Sequence, residues 1–239
     1  MKTAVTLAAG MGTRLRSAHK DMPKGFLELG GRPIIEQSIA RLERAGIRDI
    51  VIVTGYLAEH YRLLASRFEG LVRTVHNPDY ATSGSMYSLY CARNELDDDF
   101  LLLESDIIFE SRALDVLIDS AIPDAILLSG PTQAGDEVYV EAPAGRLINM
   151  SKDRSKLGSV AGELVGITRI SRGLYALMNN LAGEHFRESL RYDYETDCLV
   201  AAARRWEIAC PVVPDLIWAE IDDPAHLERA TRLIQPLLS

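Results

Sequence analysis

The groups in this chain whose types and spacing suit chemistry are two cations near the start and two acidic clusters further on. Leu7-Ala8-Ala9-Gly10-Met11-Gly12-Thr13-Arg14-Leu15 is followed, after a short spacer, by Pro23-Lys24. Residues 3–7 read as a buried strand. Gly10 and Gly12 let the chain turn tightly over its carboxyl end, with backbone N–H groups pointing at an anion. Arg14 offers a planar fork for phosphate oxygens, and Lys24, held after Pro23, supplies a point charge at a reacting phosphorus. This is a polyphosphate loop of an uncommon kind. A dinucleotide-binding loop needs a third glycine where Leu15 stands, and the Gly-Lys-Ser/Thr ending of a P-loop is absent. The bland alternative, a glycine-rich turn with two solvated cations, suits a lone Gly-x-Gly better than this complete pattern.

The two acidic clusters are metal candidates. Phe100-Leu101-Leu102-Leu103-Glu104-Ser105-Asp106 is a buried strand that leaves its apolar run at acids, and Asp106 then faces the end of the sheet where ligands bind. Its structural alternative is a turn or cap residue. In Glu220-Ile221-Asp222-Asp223-Pro224, Asp223 suits a helix N-cap with proline at the first helical position, which leaves Asp222 without a structural task. Mg²⁺ prefers one or two carboxylates with phosphate oxygens and water, so Asp106 and Asp222 suffice to hold one ion on a nucleoside triphosphate. The five histidines, His19, His60, His76, His185 and His226, are scattered and read as structural or solvated.

The elements that must position these groups alternate through the first half. Helical spacing over 33–45, 57–68 and 85–96 separates strands at 49–54, 71–76 and 100–103, and the alternation continues with a helix at 111–120 and a strand at 125–129. This predicts an α/β, Rossmann-like fold: a mainly parallel mixed sheet flanked by helices. The second half is less regular. Strands at 137–141, 147–150 and 163–170 form a meander with turns at Gly135 and Ala144-Gly145, followed by helices at 173–190 and 196–205, a strand at 208–213 and a closing helix at 224–237. The meander is expected to make a small β-rich acceptor-binding region on the same sheet.

The chain has 239 residues, 47% of them hydrophobic, enough for one large domain and too few for two of ordinary size. Within it, 1–130 reads as the nucleotide-binding part, 131–215 as the acceptor-binding part, and 216–239 as the metal-ligand strand end and closing helix. A net charge of −8 argues against a sequence-independent hold on nucleic acid and for a small anionic partner. No run approaches 18 uninterrupted apolar residues, so no membrane insertion is expected, and the start shows no basic region or cleavage site. Cys91, Cys198 and Cys210 have no metal-like spacing and fit buried thiols in a reducing cytoplasm.

The first hundred residues resemble the sugar-phosphate and MobA-like nucleotidyltransferase superfamily, whose signature is L-A-A-G-x-G-x-R-L, a spacer, then P-K. Asn77-Pro78-Asp79-Tyr80, Ser85-Met86-Tyr87-Ser88-Leu89 and Glu104-Ser105-Asp106 are similar to its branch of phosphocholine and 2-aminoethylphosphonate cytidylyltransferases. The resemblance is close over residues 3–110 and near the end of the chain, and loose between about 130 and 200. It implies that residues matching Asp106 and Asp222 hold Mg²⁺, and that those matching Arg14 and Lys24 hold the triphosphate of CTP. It also implies that Ala8 to Gly10 and Thr82, Ser83, Gly84 and Ser85 face the base and ribose, within a nucleotide-binding loop that runs from Leu7 through Met11, Gly12 and Thr13 to Arg14. The implied chemistry is in-line displacement at the α-phosphorus of CTP by an oxygen of a small phosphonate or phosphate acceptor, with pyrophosphate leaving.

The wider superfamily keeps a lysine on the acceptor phosphate where Lys152 stands; Lys156 is a rival, and either is also readable as a solvated loop charge. A quaternary ammonium is usually held by an aromatic cage, a primary one by carboxylates and hydroxyls. Between positions 130 and 170 the only aromatic is Tyr139, which favours aminoethylphosphonate. Glu195 and Asp197, beside Tyr192 and Tyr194, are candidate partners of its ammonium, the alternative being a solvated acidic first turn; Glu163 is a further candidate. Phosphocholine is the rival acceptor. A sugar-1-phosphate guanylyl- or thymidylyltransferase and a non-catalytic nucleotide-binding regulatory module remain alternatives, the last disfavoured by the joint presence of Arg14, Lys24, Asp106 and Asp222.

Overall fold

A computed structural model describes residues 1–12 and 21–238. Arg14, named above as a phosphate-binding candidate, and Thr13 beside it in the same loop lie outside the described residues. The first strand, β1 (Thr3–Ala8), leads into the glycine loop, and a hairpin of β2 (Glu28–Leu29) and β3 (Arg32–Pro33) precedes α1 (Ile34–Arg44). There follow β4 (Asp49–Thr54), α2 (Ala58–Arg67), β5 (Val72–His76), α3 (Ser85–Cys91), β6 (Phe100–Glu104), β7 (Ile107–Phe109), α4 (Arg112–Ile118) and β8 (Ala125–Ser129). The second half contributes β9 (Tyr139–Glu141), β10 (Asn149–Ser151), β11 (Gly162–Ile170), α5 (Arg172–His185), α6 (Val200–Ala203), β12 (Val212–Val213), β13 (Trp218–Glu220) and α7 (Pro224–Arg229).

The main sheet runs in the order β10-β9-β11-β6-β1-β4-β5, with β8 pairing β11 and β12. It changes character at β11. Strands β6, β1, β4 and β5 are parallel, whereas β11 is antiparallel to β6, β8 and β9. The sheet is thus Rossmann-like in its nucleotide half and a meander in the other. Alternate residues of one strand feed opposite layers. Val5 and Leu7 of β1 pack with Met86 and Leu89 of α3 and with Leu174, Met178 and Ala182 of α5. Ala4 and Ala8 pack with Ile35, Ile39 and Leu42 of α1 and Leu114 and Leu117 of α4.

Several expected elements are shorter than their apolar patterns. The helix over 85–96 stops at Cys91 and finishes as a separate 3₁₀ turn, Arg93–Glu95. The helix over 173–190 stops at His185, and the one over 196–205 is a π-turn, Tyr194–Leu199, running into the single turn of α6. The strand over 208–213 keeps ladder pairing only at Val212–Val213, with isolated bridges at Ala209. The closing helix breaks after Arg229 into a π-turn, Ala230–Ile234, and a 3₁₀ turn, Gln235–Leu237, where Pro236 cannot continue an α-helix. The sequence reading also omits the antiparallel pair of β7 and β13, which lies off the main sheet. Its Ile108 and Ala219 share a small core with Leu27, Leu29, Ile34, Ile221 and Ala230, seating the end of the chain beside Lys24.

Candidate active site

Four segments converge at the carboxyl ends of β1 and β6. Lys24 opens a 3₁₀ turn, Lys24–Phe26, whose middle residue must be glycine: a Cβ on Gly25 would stand 3.0 Å from both the Ser105 carbonyl oxygen and the Tyr61 hydroxyl. This close approach sets Lys24 against the β6 terminus. Its Nζ lies 2.9 Å from Asp106 Oδ2 and also donates to Asp222 Oδ1. Gly12, at φ 55°, adopts the left-handed conformation that the tight loop requires, and the stem of Lys24 runs over it. Burial works against the Lys24 charge, but Asp106 and Asp222 outweigh it and raise its pKa.

Asp222 arrives from the other end of the chain. It follows β13, whose register against β7 sets Glu220 opposite Ile107, and its neighbour Ile221 donates its N–H to the Asp106 carbonyl oxygen at 2.9 Å. Asp223 caps α7, its Oδ1 accepting from the His226 N–H at 2.8 Å. The adjacent aspartates therefore do different work, as their sequence context implies. His226 is structural: its Nδ1 faces the Asp222 N–H at 3.4 Å and its Nε2 the Ala134 carbonyl oxygen at 3.2 Å. Carboxylate oxygens of Asp106, Glu220 and Asp222 all lie within 4.8 Å of one another. Burial, then Asp106 and Asp222, push the Glu220 carboxyl up to about 8. Glu220 is the member of this triad that the sequence pattern did not single out; it ends β13, two residues before Asp222.

These groups line a cleft of about 490 Å³. Its walls carry nine carboxylates, from Glu104, Asp106, Asp136, Glu137, Glu163, Asp193, Glu195, Glu220 and Asp222, against the described cations Lys24, Lys152 and Arg229. Leu7, Ala8, Gly10 and Gly12 line it too, whereas Ala9 and Met11 do not; the Ala9 carbonyl oxygen is directed to the Tyr56 N–H. Of the segment 82–85, only Ser85 lines the cleft. Its Oγ accepts from the Tyr194 N–H and lies 3.3 Å from Asp193, which ties α3 to the acceptor side.

Lys152, after β10, and Glu195, in the π-turn, line the same cleft. Lys156 is exposed in a separate 3₁₀ turn, Arg154–Lys156, and does not line the cleft. Burial, then Asp193, push the Glu195 carboxyl up to about 7. Glu104 is raised by burial, then by Glu195 and Asp106. Glu163 is buried, and one of its oxygens accepts from the Thr132 N–H at 2.8 Å. Tyr192 and Asp197 do not line the cleft. The Tyr192 ring stacks on His185 at 4.2 Å, and Asp197 accepts from the Asp193 N–H at 2.9 Å, bracing the π-turn that presents Glu195. An exposed position N-terminal to a helical pattern cannot say from spacing alone which of two acids two residues apart turns inward, because the π-turn changes the residue period.

A loop over a strand end, a lysine bridging two aspartates and a cleft with a second, acid-rich pole suit transfer between two anions. The sequence profile of the MobA-like NTP transferase domain matches residues 4–196. A protein of Streptomyces rubellomurinus named CMP-5'-(3-aminopropyl)phosphonate synthase is 33% identical over 98% of this chain, and the chain spans 39% of that protein's length. The choline-phosphate cytidylyltransferase of Streptococcus pneumoniae is 31% identical over 61% of this chain and 67% of its own length. Among solved structures, the inositol-1-phosphate CTP transferase of T. maritima superposes with a TM-score of 0.81 over 100% of this chain and 96% of that one, at 19% identity.

Proposed function

The chain belongs to the family of MobA-like NTP transferase domains, and on that premise we propose that it is a Mg²⁺-dependent cytidylyltransferase. It joins CMP from CTP to a small amine-bearing phosphonate or phosphate, 2-aminoethylphosphonate first among these, with release of pyrophosphate. The observation that carries the reading is that one cleft carries two sets of charged groups, named here its metal pole and its acceptor pole. One holds Lys24 and the triad Asp106, Glu220 and Asp222; the other holds Lys152 among Glu104, Glu163 and Glu195. The first suits a metal-bound triphosphate. The second suits a zwitterion, its anionic head on Lys152 and its ammonium among the carboxylates.

The donor set fits Mg²⁺: hard carboxylate oxygens gathered within 4.8 Å, open to a cleft where phosphate oxygens and water complete the shell. Asp106 and Asp222 would hold the ion, which when bound supplies charge neutralisation on the phosphates. Lys24 screens the repulsion between the two anions and steadies charge at the crowded phosphorus, and the glycine loop presents backbone donors to the phosphates. The acceptor oxygen is already ionised at neutral pH, so the mechanism assigns no residue as general base. Lys152 and the acid pole position that oxygen for in-line attack.

Two further facts support an amine-bearing acceptor. The Streptomyces rubellomurinus relative is named for an aminoalkylphosphonate product. The aromatic residues lining the cleft, among those described, are Tyr61 and Trp218, fewer than an aromatic cage for a quaternary ammonium requires. Pyrophosphate release measured across four nucleoside triphosphates and a panel of acceptors tests the reading. The expected result is turnover with CTP far above GTP, ATP or dTTP, and with aminoalkylphosphonates above phosphocholine and sugar 1-phosphates. Equal use of GTP and CTP overturns the nucleotide assignment, and a preference for phosphocholine overturns the acceptor assignment.

A further inference from the structure

Lys24 stands where it serves two partners that it cannot serve at once. Its ammonium is shared between Asp106 and Asp222, the carboxylates that the proposed metal also needs. Its stem lies directly over the glycine loop: a Cβ on Gly12 would meet Lys24 Cγ at 3.3 Å and Cε at 3.8 Å. A turn about the outer bonds of the side chain therefore carries Nζ from the carboxylates toward the space above the loop, with no backbone movement. Two cations held on one pair of aspartates repel each other strongly in a partly buried site. Metal and ammonium must consequently exchange, and the ammonium leaves at least cost when a polyphosphate lies over the loop to receive it.

We infer that Lys24 is the resident counter-ion of Asp106 and Asp222 in the nucleotide-free protein, holding their carboxylates together until metal and CTP arrive as a pair and draw it onto the phosphates. This rests on the reading of the triad as a metal site. It assigns Lys24 a role before chemistry, as the group that makes metal entry depend on nucleotide. It also accounts for the unequal balance of the cleft, since Lys24 neutralises charge at the metal pole and leaves the acid pole to its ligand.

Titration of Mn²⁺ into nucleotide-free protein, followed by calorimetry or by the electron paramagnetic resonance signal of free Mn²⁺, tests the assignment. Lys24→Met is expected to bind Mn²⁺ about tenfold more tightly than the unsubstituted protein, in the range by which groups around metal ligands alter affinity. Lys156→Met removes an exposed charge that does not line the cleft and is expected to stay within about threefold, as a screened surface charge should. Equal or weaker binding by Lys24→Met, or an equal gain in both variants, overturns the inference. Absence of Mn²⁺ binding by all three proteins, with and without CTP, overturns the metal reading itself and this inference with it. A measurement on the unsubstituted protein stands should Lys24→Met fail to fold. The extent of Lys24 modification by an amine-acylating reagent, read by peptide mass spectrometry, is expected to rise with Mn²⁺ alone only where the ion displaces the ammonium unaided, at concentrations well above those that suffice in the presence of CTP, and to fall when CTP joins it. No change with Mn²⁺ overturns the inference.

Discussion

The two poles of the cleft solve the same electrostatic problem in opposite ways. At the metal pole, carboxylates from β6 and from the segment after β13 close on Lys24, a cation the protein itself supplies. At the acceptor pole, Glu104 and Glu195 have no lysine or arginine ion-pair partner among the described residues, and burial raises the pKa of both. Leaving buried carboxylates unpaired is costly, and a protein tolerates it where a ligand brings the missing charge. The metal pole is therefore organised before substrate arrives. On the proposed function, the acceptor pole becomes electrostatically complete only with a cationic ligand.

Breaking the metal pole should have the largest effect. Asp222→Asn keeps the shape of a buried side chain and removes a ligand charge, so turnover at fixed Mg²⁺ should fall on the order of a thousandfold while the thermal midpoint stays close to that of the unsubstituted protein. Retained turnover would place the ion on Asp106 and Glu220 alone. Lys24→Ala should lower kcat on the order of a hundredfold or more, with a smaller change in nucleotide affinity, because its charge acts on the crowded phosphorus. Near-normal kcat would reduce Lys24 to a structural counter-ion.

The acceptor pole is probed more gently. Glu195→Gln should raise the KM for an amine-bearing acceptor on the order of tenfold and leave the KM for CTP unchanged, since it removes one charge-assisted contact. Because the Glu195 carboxyl titrates near 7 and must be ionised to attract an ammonium, acceptor KM should rise as pH falls below that value. This limb should be reduced in the Gln variant; an identical pH profile in both proteins would remove Glu195 from ammonium binding. The smallest effect on turnover belongs to Asp223→Ala. Loss of its cap should destabilise by roughly 0.5 to 2 kcal/mol, seen as a lower thermal midpoint, with the Mg²⁺ dependence of rate unaltered.

The difference between the poles also explains what could be read from sequence. The fold of the proposed nucleotide half was legible because periodicity locates the ends of parallel strands: β1, β4 and β6 match the expected runs to within a residue or two. Asp106 and the contrast between Asp222 and Asp223 followed from that logic together with the Asp-Pro cap signal. The acceptor half resisted the same treatment. Glu195 is presented by a π-turn, whose five-residue hydrogen bonding shifts the facing of every following side chain relative to the α-helical spacing used to predict it. Glu163 stood only as one further candidate and Glu104 as part of the acidic strand end, while Asp136 and Thr132 carry no local pattern marking them as cleft residues. They meet because β11 crosses from the parallel to the antiparallel part of the sheet, a tertiary fact that no short window contains.

The pairing of β13 with β7 has a consequence for the life of the nascent chain. Lys24 and Asp222 are separated by 198 positions, so the second aspartate leaves the ribosome after nearly all of the sheet has been made. A chain folded as far as the end of β12 has its glycine loop and Asp106 in place, yet cannot close the metal pole until Trp218–Glu220 has zipped onto Ile107–Phe109. Closure of the carboxylates around Lys24 therefore waits for this strand pair, and proteolytic removal of residues 218–238 is expected to abolish the proposed transfer while sparing most of the parallel core.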